Sequence, residues 1–446
     1  MVAFRQNGSD VEMRVTEARC SGGNNVSAAT VLPLYGTDLS SAGNKYDVST
    51  SNSDGNYGIY GISLTFRSPY SVKTVTMAYF QGIRKMAGST ATPGCKAQLV
   101  VKGMDNTRMR YVPTSNNAHV LPYTDGLLRI QKGGEVVQLQ SQNSYDSMWV
   151  EDRALINIEE GGVYRQQANW GVGVSQRVDI VSGEYRVRDL SSVFSGFCVL
   201  NLLTFSGNVT LHSAQGANGD LVRAGYKKDS VWLVRGTSAS TCDIPLWLWG
   251  AAEEEAGGNT MTFAVLDVTG DSASDFIMNG AVSRHGTESD VLAVYKTGSG
   301  TMELNASYDV GTTPTQLKGG TWLFNASSLA SASSPYTLDG GTLAVADGTA
   351  NSLGVLTVGN AGGGITLGAG ATLTFADSSA AEWTGETTDK VIITGFAEKS
   401  IRFGTAKDGL ATEQRVRLRT SDNKRLYLDA EGYLTTTGPG TRLIFR

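Results

Sequence analysis

The sequence contains few of the residues on which metal sites, linkers and membrane spans depend. Its 446 residues include three histidines, and its four cysteines form no CxxC pair, so a zinc site is not expected. Nine prolines are too few for a collagen or a proline-rich linker. No apolar run is long enough to span a bilayer. No signal peptide opens the chain, and we expect that an export signal has been removed from it.

Charge is scarce as well. Charged residues make up 18% of the chain, and the net charge of −5 gives no electrostatic basis for binding nucleic acid. The sequence has no G-x-S-x-G, H-E-x-x-H or Walker motif, and no cofactor is expected. Serine, threonine and asparagine take the place of charged residues, which is typical of extracellular β proteins. We therefore predict a protein that is secreted or held at the outer cell surface.

Glycine is abundant, with 54 residues, and it recurs at regular places. Between Val291 and Phe375 short phrases repeat, in which a glycine corner and a threonine precede alternating apolar and polar residues. Two of these phrases, Lys318–Phe324 and Asp339–Val345, follow the same pattern. Because side chains alternate between the two faces of a strand, stacked copies would bury one continuous apolar column. This pattern predicts a β-solenoid.

The alternation assigns a face to each residue of the most regular phrases. The steps from Leu304 to Leu323 and on to Leu343 are roughly 20 residues, the length of one solenoid repeat. The residues predicted to point inward are Leu343, Val345, Leu356, Val358, Ile365, Leu367, Leu373 and Phe375. Those predicted to point outward are Thr342, Thr357, Thr366 and Thr372.

A related pattern of strand, glycine and strand occurs three times earlier in the chain, at intervals of roughly 25 residues. The three copies are Leu127–Val137, Ala154–Tyr164 and Val178–Val187. They extend the predicted solenoid over residues 118–388. Residues 1–117 are β-rich, and a β-sandwich is preferred there to a decorated entrance to the solenoid.

The first of the regular phrases resembles a known repeat. It consists of Lys296–Leu304, Asn305, Tyr308, Gly311-Thr312 and a closing Gly319–Leu323. This order is similar to the autotransporter-associated β-strand repeat, which runs K-x-G-x-G-T-L-x-L, then N-x-Y-x-G-x-T, then G-G-T-L. Met302 and Trp322 stand where that family has leucine. The match covers about thirty residues closely and Asp339–Phe375 more loosely.

The resemblance implies a right-handed parallel β-helix in a secreted bacterial surface protein. In that family the repeat is linked to secretion and scaffolding and supplies no catalytic residue. The fold class we predict is therefore all-β: a right-handed parallel β-helix over residues 118–388, an N-terminal β-rich, sandwich-like region over 1–117, and a C-terminal β cap over 389–446.

The last part of the chain resembles a second known segment. The region before the membrane-sorting tail of PEP-CTERM-type exported proteins is similar to Val391–Phe396, Ile401–Thr405, Leu410, Glu413-Gln414 and Leu428–Leu434. Neither that sorting tail nor the β-barrel translocator of a complete autotransporter follows in this sequence. The resemblance implies export, and we expect the segment to protect the strand edges of the last rung.

The four cysteines permit two disulfides in an exported protein. The in-order pairing of Cys20 with Cys95 and of Cys198 with Cys242 is preferred among the three connectivities that four cysteines allow. Each bond would close a loop and add about 2–4 kcal/mol to the stability. Four buried free thiols are the alternative.

Aromatic residues suggest one candidate binding site. The densest aromatic zone contains Trp232, Trp247, Trp249, Tyr226 and Arg235. Tryptophan and tyrosine faces stack on sugar rings, so this zone is a candidate glycan-binding surface. The alternative is that Trp247 and Trp249 share one face of a strand and cover the core.

Carboxylates suggest a different kind of site, because parallel β-helices also host polysaccharide lyases and glycosidases. These enzymes use paired carboxylates, or a carboxylate, a base and Ca²⁺. The candidate catalytic residues are Asp267, Asp271, Asp275 and His285. Adjacent residues on a strand face opposite sides, so Glu159-Glu160 is a poor catalytic pair unless it lies in a turn. For each of these residues a role as a solvated surface or turn residue is the alternative.

These observations favour a non-catalytic scaffold or adhesin over an enzyme. Its expected partners are host or environmental glycans or surface proteins. The alternative is a β-helix polysaccharide lyase or glycoside hydrolase that uses carboxylates between residues 150 and 290. The recognisable segments belong to export and display. Residues 291–375 contain no histidine or arginine and two lysines, Lys296 and Lys318, which leaves them little with which to move a proton.

Overall fold

The structure is a computed structural model. It describes residues 2–5, 12–20, 59–67, 76–80, 98–101, 109–111, 127–132, 134–138, 155–166, 177–181, 184–187, 197–199, 202–213, 221–224, 230–248, 259–284, 291–384 and 391–438. The chain divides into two compact units, Met1–Arg223 and Ala224–Arg446.

Every element described in the first unit is a strand. In chain order the strands are β1 (Val2–Arg5), β2 (Glu12–Cys20), β3 (Ile59–Arg67), β4 (Thr76–Phe80), β5 (Gln98–Val101), β6 (Met109–Tyr111), β7 (Leu127–Ile130), β8 (Gly134–Gln138), β9 (Leu155–Ile158), β10 (Val163–Gln166), β11 (Arg177–Val181), β12 (Glu184–Val187), β13 (Phe197–Val199), β14 (Leu202–Ser206), β15 (Thr210–Ser213) and β16 (Leu221–Ala224).

Pairing in the first unit changes from antiparallel to parallel along the chain. Strand β1 pairs with β4 and β2 with β3, both antiparallel. From β5 onward all pairs are parallel, in the orders β5-β7-β9-β11-β14 and β6-β8-β10-β12-β15. The three predicted copies of strand, glycine and strand are confirmed, because the first strand of each copy stacks on the first strand of the next. The parallel pairs begin at Gln98, earlier than the expected boundary at residue 118.

The second unit contains strands and one short helix among its described residues. They are β17 (Ser230–Arg235), β18 (Ser240–Cys242), β19 (Leu246–Leu248), β20 (Asn259–Val265), β21 (Phe276–Met278), β22 (Val282–Arg284), β23 (Val291–Thr297), β24 (Thr301–Leu304), β25 (Tyr308–Asp309), β26 (Thr315–Leu317), β27 (Thr321–Phe324), β28 (Tyr336–Leu338), β29 (Thr342–Val345), β30 (Ala350–Leu353), β31 (Leu356–Val358), β32 (Gly363–Leu367), β33 (Thr372–Phe375), β34 (Val391–Thr394), β35 (Ile401–Phe403), α1 (Thr412–Arg415), β36 (Leu418–Thr420), β37 (Tyr427–Leu428) and β38 (Leu434–Thr435).

The chain of the second unit coils around three faces. The first face consists of β17, β20, β23, β26, β28 and β31, and the second of β18, β21, β24, β27, β29, β32, β34 and β36. The third face consists of β19, β22 and β25, followed by β30, β33 and β35. Neighbouring strands on each face are parallel, and successive circuits visit the faces in the same order. The fold is therefore an all-β parallel β-helix, as predicted.

Residues at equivalent positions of successive rungs lie side by side. Strand β27 pairs with β29 so that Thr321 meets Thr342, and Trp322 meets Leu343. The alignment of the two repeated phrases is confirmed by this register. The eight residues predicted to point inward are at most 5% exposed. The four threonines predicted to point outward are half-buried or exposed. Alternation along each strand therefore separates a buried apolar column from an outer polar column.

The leucines that marked the predicted repeat length do not pair with one another. Leu304 pairs with Phe324, and Leu343 pairs with Trp322. Leu323 pairs instead with Glu303 and lies on the outer, half-buried side of its strand. A leucine on the outer side of a strand weakens the apolar–polar alternation, which made the register ambiguous at this rung.

Large aromatic side chains fill the interior of the second unit. The ring of Trp232 meets that of Phe263 edge-on with centroids 5.9 Å apart, and Phe263 contacts Trp322 at 6.1 Å. Trp322 in turn meets Tyr308 at 5.0 Å. Edge-to-face contacts are the favoured arrangement of aromatic pairs because the positive ring edge meets the negative ring face. The interior is thus an aromatic stack that links several rungs.

The end of the second unit differs from the predicted boundary. Parallel pairing continues past residue 388, since β34 pairs with β32, and β36 pairs with β34. Strands β37 and β38 form an antiparallel hairpin. The N–H of Phe403 in β35 donates to the carbonyl oxygen of Gly432 beside this hairpin at 2.9 Å. The hairpin therefore satisfies backbone groups at the edge of the third face, which is the expected role of a cap.

Two corner glycines differ in the space around them. Gly320 and Gly348 both have positive φ, +60° and +66°. A Cβ atom at Gly320 would lie 2.2 Å from the carbonyl oxygen of Gly300 and 2.7 Å from Nζ of Lys296, whereas a Cβ at Gly348 would meet nothing within 4 Å. The rungs approach each other closely at Gly320 and remain apart at Gly348.

We predict that Gly320→Ala destabilises the protein much more than Gly348→Ala. The second change carries only the cost of a left-handed backbone for alanine, about 1–2 kcal/mol. The first adds a backbone clash between rungs, so we expect a loss above about 3 kcal/mol. Urea unfolding followed by circular dichroism measures both. Equal losses for the two variants would contradict the close approach at Gly320.

Candidate functional site

The third face of the second unit carries a column of polar side chains. Ser352 in β30 pairs with Thr374 in β33, and Thr374 pairs with Arg402 in β35. Leu353 and Phe375, which follow them in their strands, are each 1% exposed. Because neighbours in a strand face opposite ways, the column of polar side chains points outward.

A concavity of about 430 Å³ lies beside this column. Its walls come from β30, β33 and β35, from the segments that follow β33 and β35, and from Ala332. The remaining lining is backbone and small or buried residues. The polar residues that line it are Ser352, Thr374, Asp377, Arg402, Thr405 and Asp408. We call this concavity the third-face groove.

Arg402 is held in place by the C-terminal hairpin. Its Nε–H donates to the carbonyl oxygen of Glu431 at 2.9 Å. Its guanidinium lies over the ring of Tyr433, 5.0 Å from the centroid. A cation over an aromatic face is attracted by the negative ring face. The two contacts hold the guanidinium of Arg402, which lines the third-face groove.

Asp377 is ionised at neutral pH. Hydrogen bonds from the side chain and the backbone N–H of Ser379 lower the pKa of Asp377 below its ordinary value. The backbone bond measures 2.9 Å. A glycosidase acid requires the opposite shift, a raised pKa that keeps its proton at neutral pH. Asp377 is therefore suited to accept hydrogen bonds from a ligand rather than to donate a proton.

The aromatic residues proposed from the sequence do not form one surface. Trp232 is 0% exposed, so neither face of its ring can stack on a sugar. Trp247 is half-buried and lies in β19 on the third face, whereas Trp232 lies in β17 on the first face. Arg235 is exposed. Tyr226 and Trp249 lie outside the described residues.

The alternative reading of this aromatic zone is also wrong in its register. Leu246 and Leu248, rather than Trp247, point into the core, and they are 0% and 1% exposed. The alternation Leu-Trp-Leu-Trp contains apolar residues at every position, so the sequence pattern alone could not decide which pair is buried.

The candidate carboxylates Asp267 and Asp271 stabilise turns. The carboxylate of Asp267 accepts a hydrogen bond from the N–H of Gly270 at 2.7 Å, and that of Asp271 accepts one from the N–H of Ala273 at 2.8 Å. Both aspartates are exposed, and short aspartate side chains commonly make such turn contacts. The fourth candidate, His285, lies outside the described residues.

Asp275 is buried, with 1% exposed, and both of its carboxylate oxygens accept hydrogen bonds. Oδ1 accepts from the N–H groups of Val268 and Thr269 at 2.8 and 2.9 Å, and Oδ2 accepts from the N–H of Thr301 at 2.7 Å. A buried carboxylate requires such bonds to offset its lost hydration. These contacts join two rungs, and they explain Asp275 as a structural residue.

Glu159 and Glu160 lie in the turn between β9 and β10 rather than within a strand. The carboxylate of Glu159 accepts a hydrogen bond from Nε2 of Gln131 at 2.9 Å. Gln131 follows β7, the strand that stacks on β9. This contact links neighbouring rungs, and it gives Glu159 a structural role.

The predicted bond between Cys198 and Cys242 does not form in this structure. Cys242 is a buried free thiol, and its Sγ–H donates to the carbonyl oxygen of Ile244 at 3.6 Å. Burial raises the pKa of the Cys242 thiol to about 12, so the unreactive thiol form persists at neutral pH. For the pair of Cys20 and Cys95, the described residues do not include Cys95.

Lys296 is a buried charge whose role the sequence pattern did not reveal. Its side chain is 0% exposed, and Nζ donates to the carbonyl oxygens of Thr297, Gly298 and Gly319 at 3.0, 3.2 and 3.1 Å. Burial lowers the pKa of Lys296 to about 8, and the negative charge of Asp275 opposes this lowering. The lysine of the repeat therefore ties two glycine corners together.

The described residues hold no metal-binding cluster: no group of three or more histidine, cysteine, aspartate and glutamate side chains is placed for one. Within the same ranges no helix is both long and apolar enough to cross a membrane. The fold thus defines a parallel β-helix with an outer groove. No family model, no curated protein and no solved structure matches this chain.

We predict that Lys296 makes the free energy of unfolding change with pH in the alkaline range. The folded chain releases this proton near pH 8 and the unfolded chain near pH 10.5. In that window the unfolded state binds more protons, so the contribution of Lys296 to the free energy of unfolding rises with pH. The slope is at most about 1.4 kcal/mol per pH unit. The measurement is urea unfolding of the wild type and of Lys296→Met across this window.

The difference in the free energy of unfolding between the wild type and Lys296→Met isolates the contribution of Lys296. Burial raises the pKa of Cys242 and of Tyr308 in both, so the stability that these groups lose at alkaline pH cancels in the difference. At neutral pH the variant should be less stable by about 2–3 kcal/mol, because three carbonyl groups lose a charged donor. If the difference in the free energy of unfolding stays constant from pH 8 to pH 10.5, Lys296 is not desolvated in the folded chain.

Proposed function

We propose that the chain is a secreted or surface-displayed, non-catalytic β-solenoid scaffold or adhesin that binds glycans. The observation that carries the proposal is the set of polar columns on the outside of the second unit. Thr301, Thr321 and Thr342 pair in register on the second face. Successive strands lie about 4.8 Å apart, so such columns present hydroxyl groups at a constant spacing.

An asparagine ladder supports the same proposal. Nδ2 of Asn279 donates to Oδ1 of Asp243 at 2.7 Å, and Nδ2 of Asn305 donates to Oδ1 of Asn279 at 2.8 Å. Nδ2 of Asn325 continues the chain to Oδ1 of Asn305 at 2.9 Å. Side chains that are locked to each other across rungs form a rigid surface, and rigid polar surfaces lose little entropy when they bind an extended ligand.

The alternative of a β-helix polysaccharide lyase or glycoside hydrolase receives less support. A glycoside hydrolase requires two carboxylates in a groove, one of which keeps its proton at neutral pH. In the third-face groove the pKa of Asp377 is lowered. Of the candidates between residues 150 and 290, Asp275 is committed to backbone N–H groups, and Asp267 and Asp271 stabilise turns. Display and binding demand less of these residues than catalysis does.

We predict that the purified chain binds insoluble glycans and does not cleave them. Incubation with insoluble glucan, mannan, mucin and pectin should leave the protein in the pellet of at least one of them. The supernatant should contain no released reducing sugar and no unsaturated sugar product. Both quantities come from one sedimentation assay followed by a reducing-end assay and an absorbance reading.

The control is the same chain unfolded in urea and then diluted, which separates binding by the folded surface from non-specific adhesion. Product release that rises with protein concentration, and that disappears in a variant of one carboxylate, would establish an enzyme instead. A folded chain that pellets with none of the glycans would refute glycan binding.

A further inference from the structure

We propose that the third-face groove binds a neutral, hydroxyl-rich chain, an extended neutral glycan. This inference rests on the proposed function, and it assigns that function to one site. Asp377 and Arg402 supply the charged contacts, and Ser352 and Thr374 supply hydroxyl groups. The candidate glycan-binding site is therefore this groove and not the aromatic zone suggested by the sequence.

The spacing of the column matches an extended glycan. Ser352, Thr374 and Arg402 belong to three parallel strands in register, which lie about 4.8 Å apart. This is close to the advance of one monosaccharide along an extended chain. A glycan lying across the strands therefore meets one polar side chain per sugar. Weak contacts repeated in this way add up along the ligand.

The charges in the groove select a neutral ligand over an acidic one. Its ionisable lining consists of one cation, Arg402, and two carboxylates, Asp377 and Asp408. Charges of both signs suit hydroxyl groups, because a hydroxyl both donates to a carboxylate and accepts from a guanidinium. A uronate or sulfated sugar would meet two like charges for each opposite one.

Two of the charged groups are held before any ligand arrives. Arg402 is held by the carbonyl oxygen of Glu431 and by the ring of Tyr433. Asp377 is held by the N–H of Ser379. A site whose side chains are already ordered loses less conformational entropy on binding. The anchors of Arg402 lie in the C-terminal hairpin, so the cap also shapes the groove.

The groove is less suited to a protein partner. Protein interfaces depend on a few large apolar or aromatic anchors surrounded by a polar rim. The exposed large apolar residues of the described chain are Leu266, Leu292, Ile392 and Val416. None of these four lines the groove. Its outward groups are hydroxyls, carboxylates and one guanidinium, which recognise a polyol.

The test measures binding by affinity electrophoresis of the full chain in native gels. The gels contain soluble glucan, mannan, galactan or polygalacturonate, and retardation gives the dissociation constant. Two groove variants preserve shape: Thr374→Val removes a hydroxyl, and Asp377→Asn removes a charge but keeps an acceptor for Ser379. The matched control is Thr337→Val in β28, an equally half-buried outer threonine on the first face.

We expect retardation by at least one neutral polysaccharide and weaker retardation by polygalacturonate. Asp377→Asn should weaken the neutral complex about tenfold and Thr374→Val severalfold, while Thr337→Val binds as the wild type does. If both groove variants bind as tightly as the wild type, the third-face groove is not the binding site, and the proposed function still stands. Stronger binding of polygalacturonate would overturn the neutral ligand. Retardation by no polysaccharide would overturn both the groove and glycan binding.

Discussion

Parallel pairing in register is the constraint on which the second unit depends. Each strand repeats the face and the position of the strand below it, so one inward residue per rung builds a core column and one outward residue builds a surface column. The same register that stacks Trp322 on Leu343 inside also aligns Thr321 with Thr342 outside. Stability and a regular outer surface are therefore two results of one hydrogen-bond pattern.

Close contact between rungs needs special residues at the corners. Gly320 leaves room for the carbonyl oxygen of Gly300, and Lys296 donates to three corner carbonyls at once. Asp275 performs the complementary task by accepting N–H groups from two rungs. Backbone groups at a corner cannot join the strand ladder, and buried ones need another partner. The buried lysine and aspartate supply these partners, and this explains why a protein with few charges places these two residues inside.

The sequence predicted the architecture well because it depends on a short-range rule. Alternation identified the inward residues from Leu343 to Phe375 and the parallel stacking of the earlier copies. It failed where the rule is ambiguous, as at Leu323 and at Leu246–Leu248, where apolar residues occupy both faces. The groove depends on contacts between distant segments, such as Arg402 with Glu431 and Tyr433, and no local pattern encodes them. The resemblance to exported surface proteins remains an expectation about secretion.

The most direct test of the account is the register of the third face itself. Cysteines can be placed at outward positions of β30 and β33, and a disulfide forms only when the Cα atoms lie about 4.4–6.8 Å apart. The pair Ser352→Cys with Thr374→Cys is in register, whereas Ser352→Cys with Thr372→Cys is displaced by two residues along the strand. Peptide mapping after mild oxidation should find rapid crosslinking of the first pair and little of the second. Faster crosslinking of the displaced pair would contradict the stacking and the groove built on it.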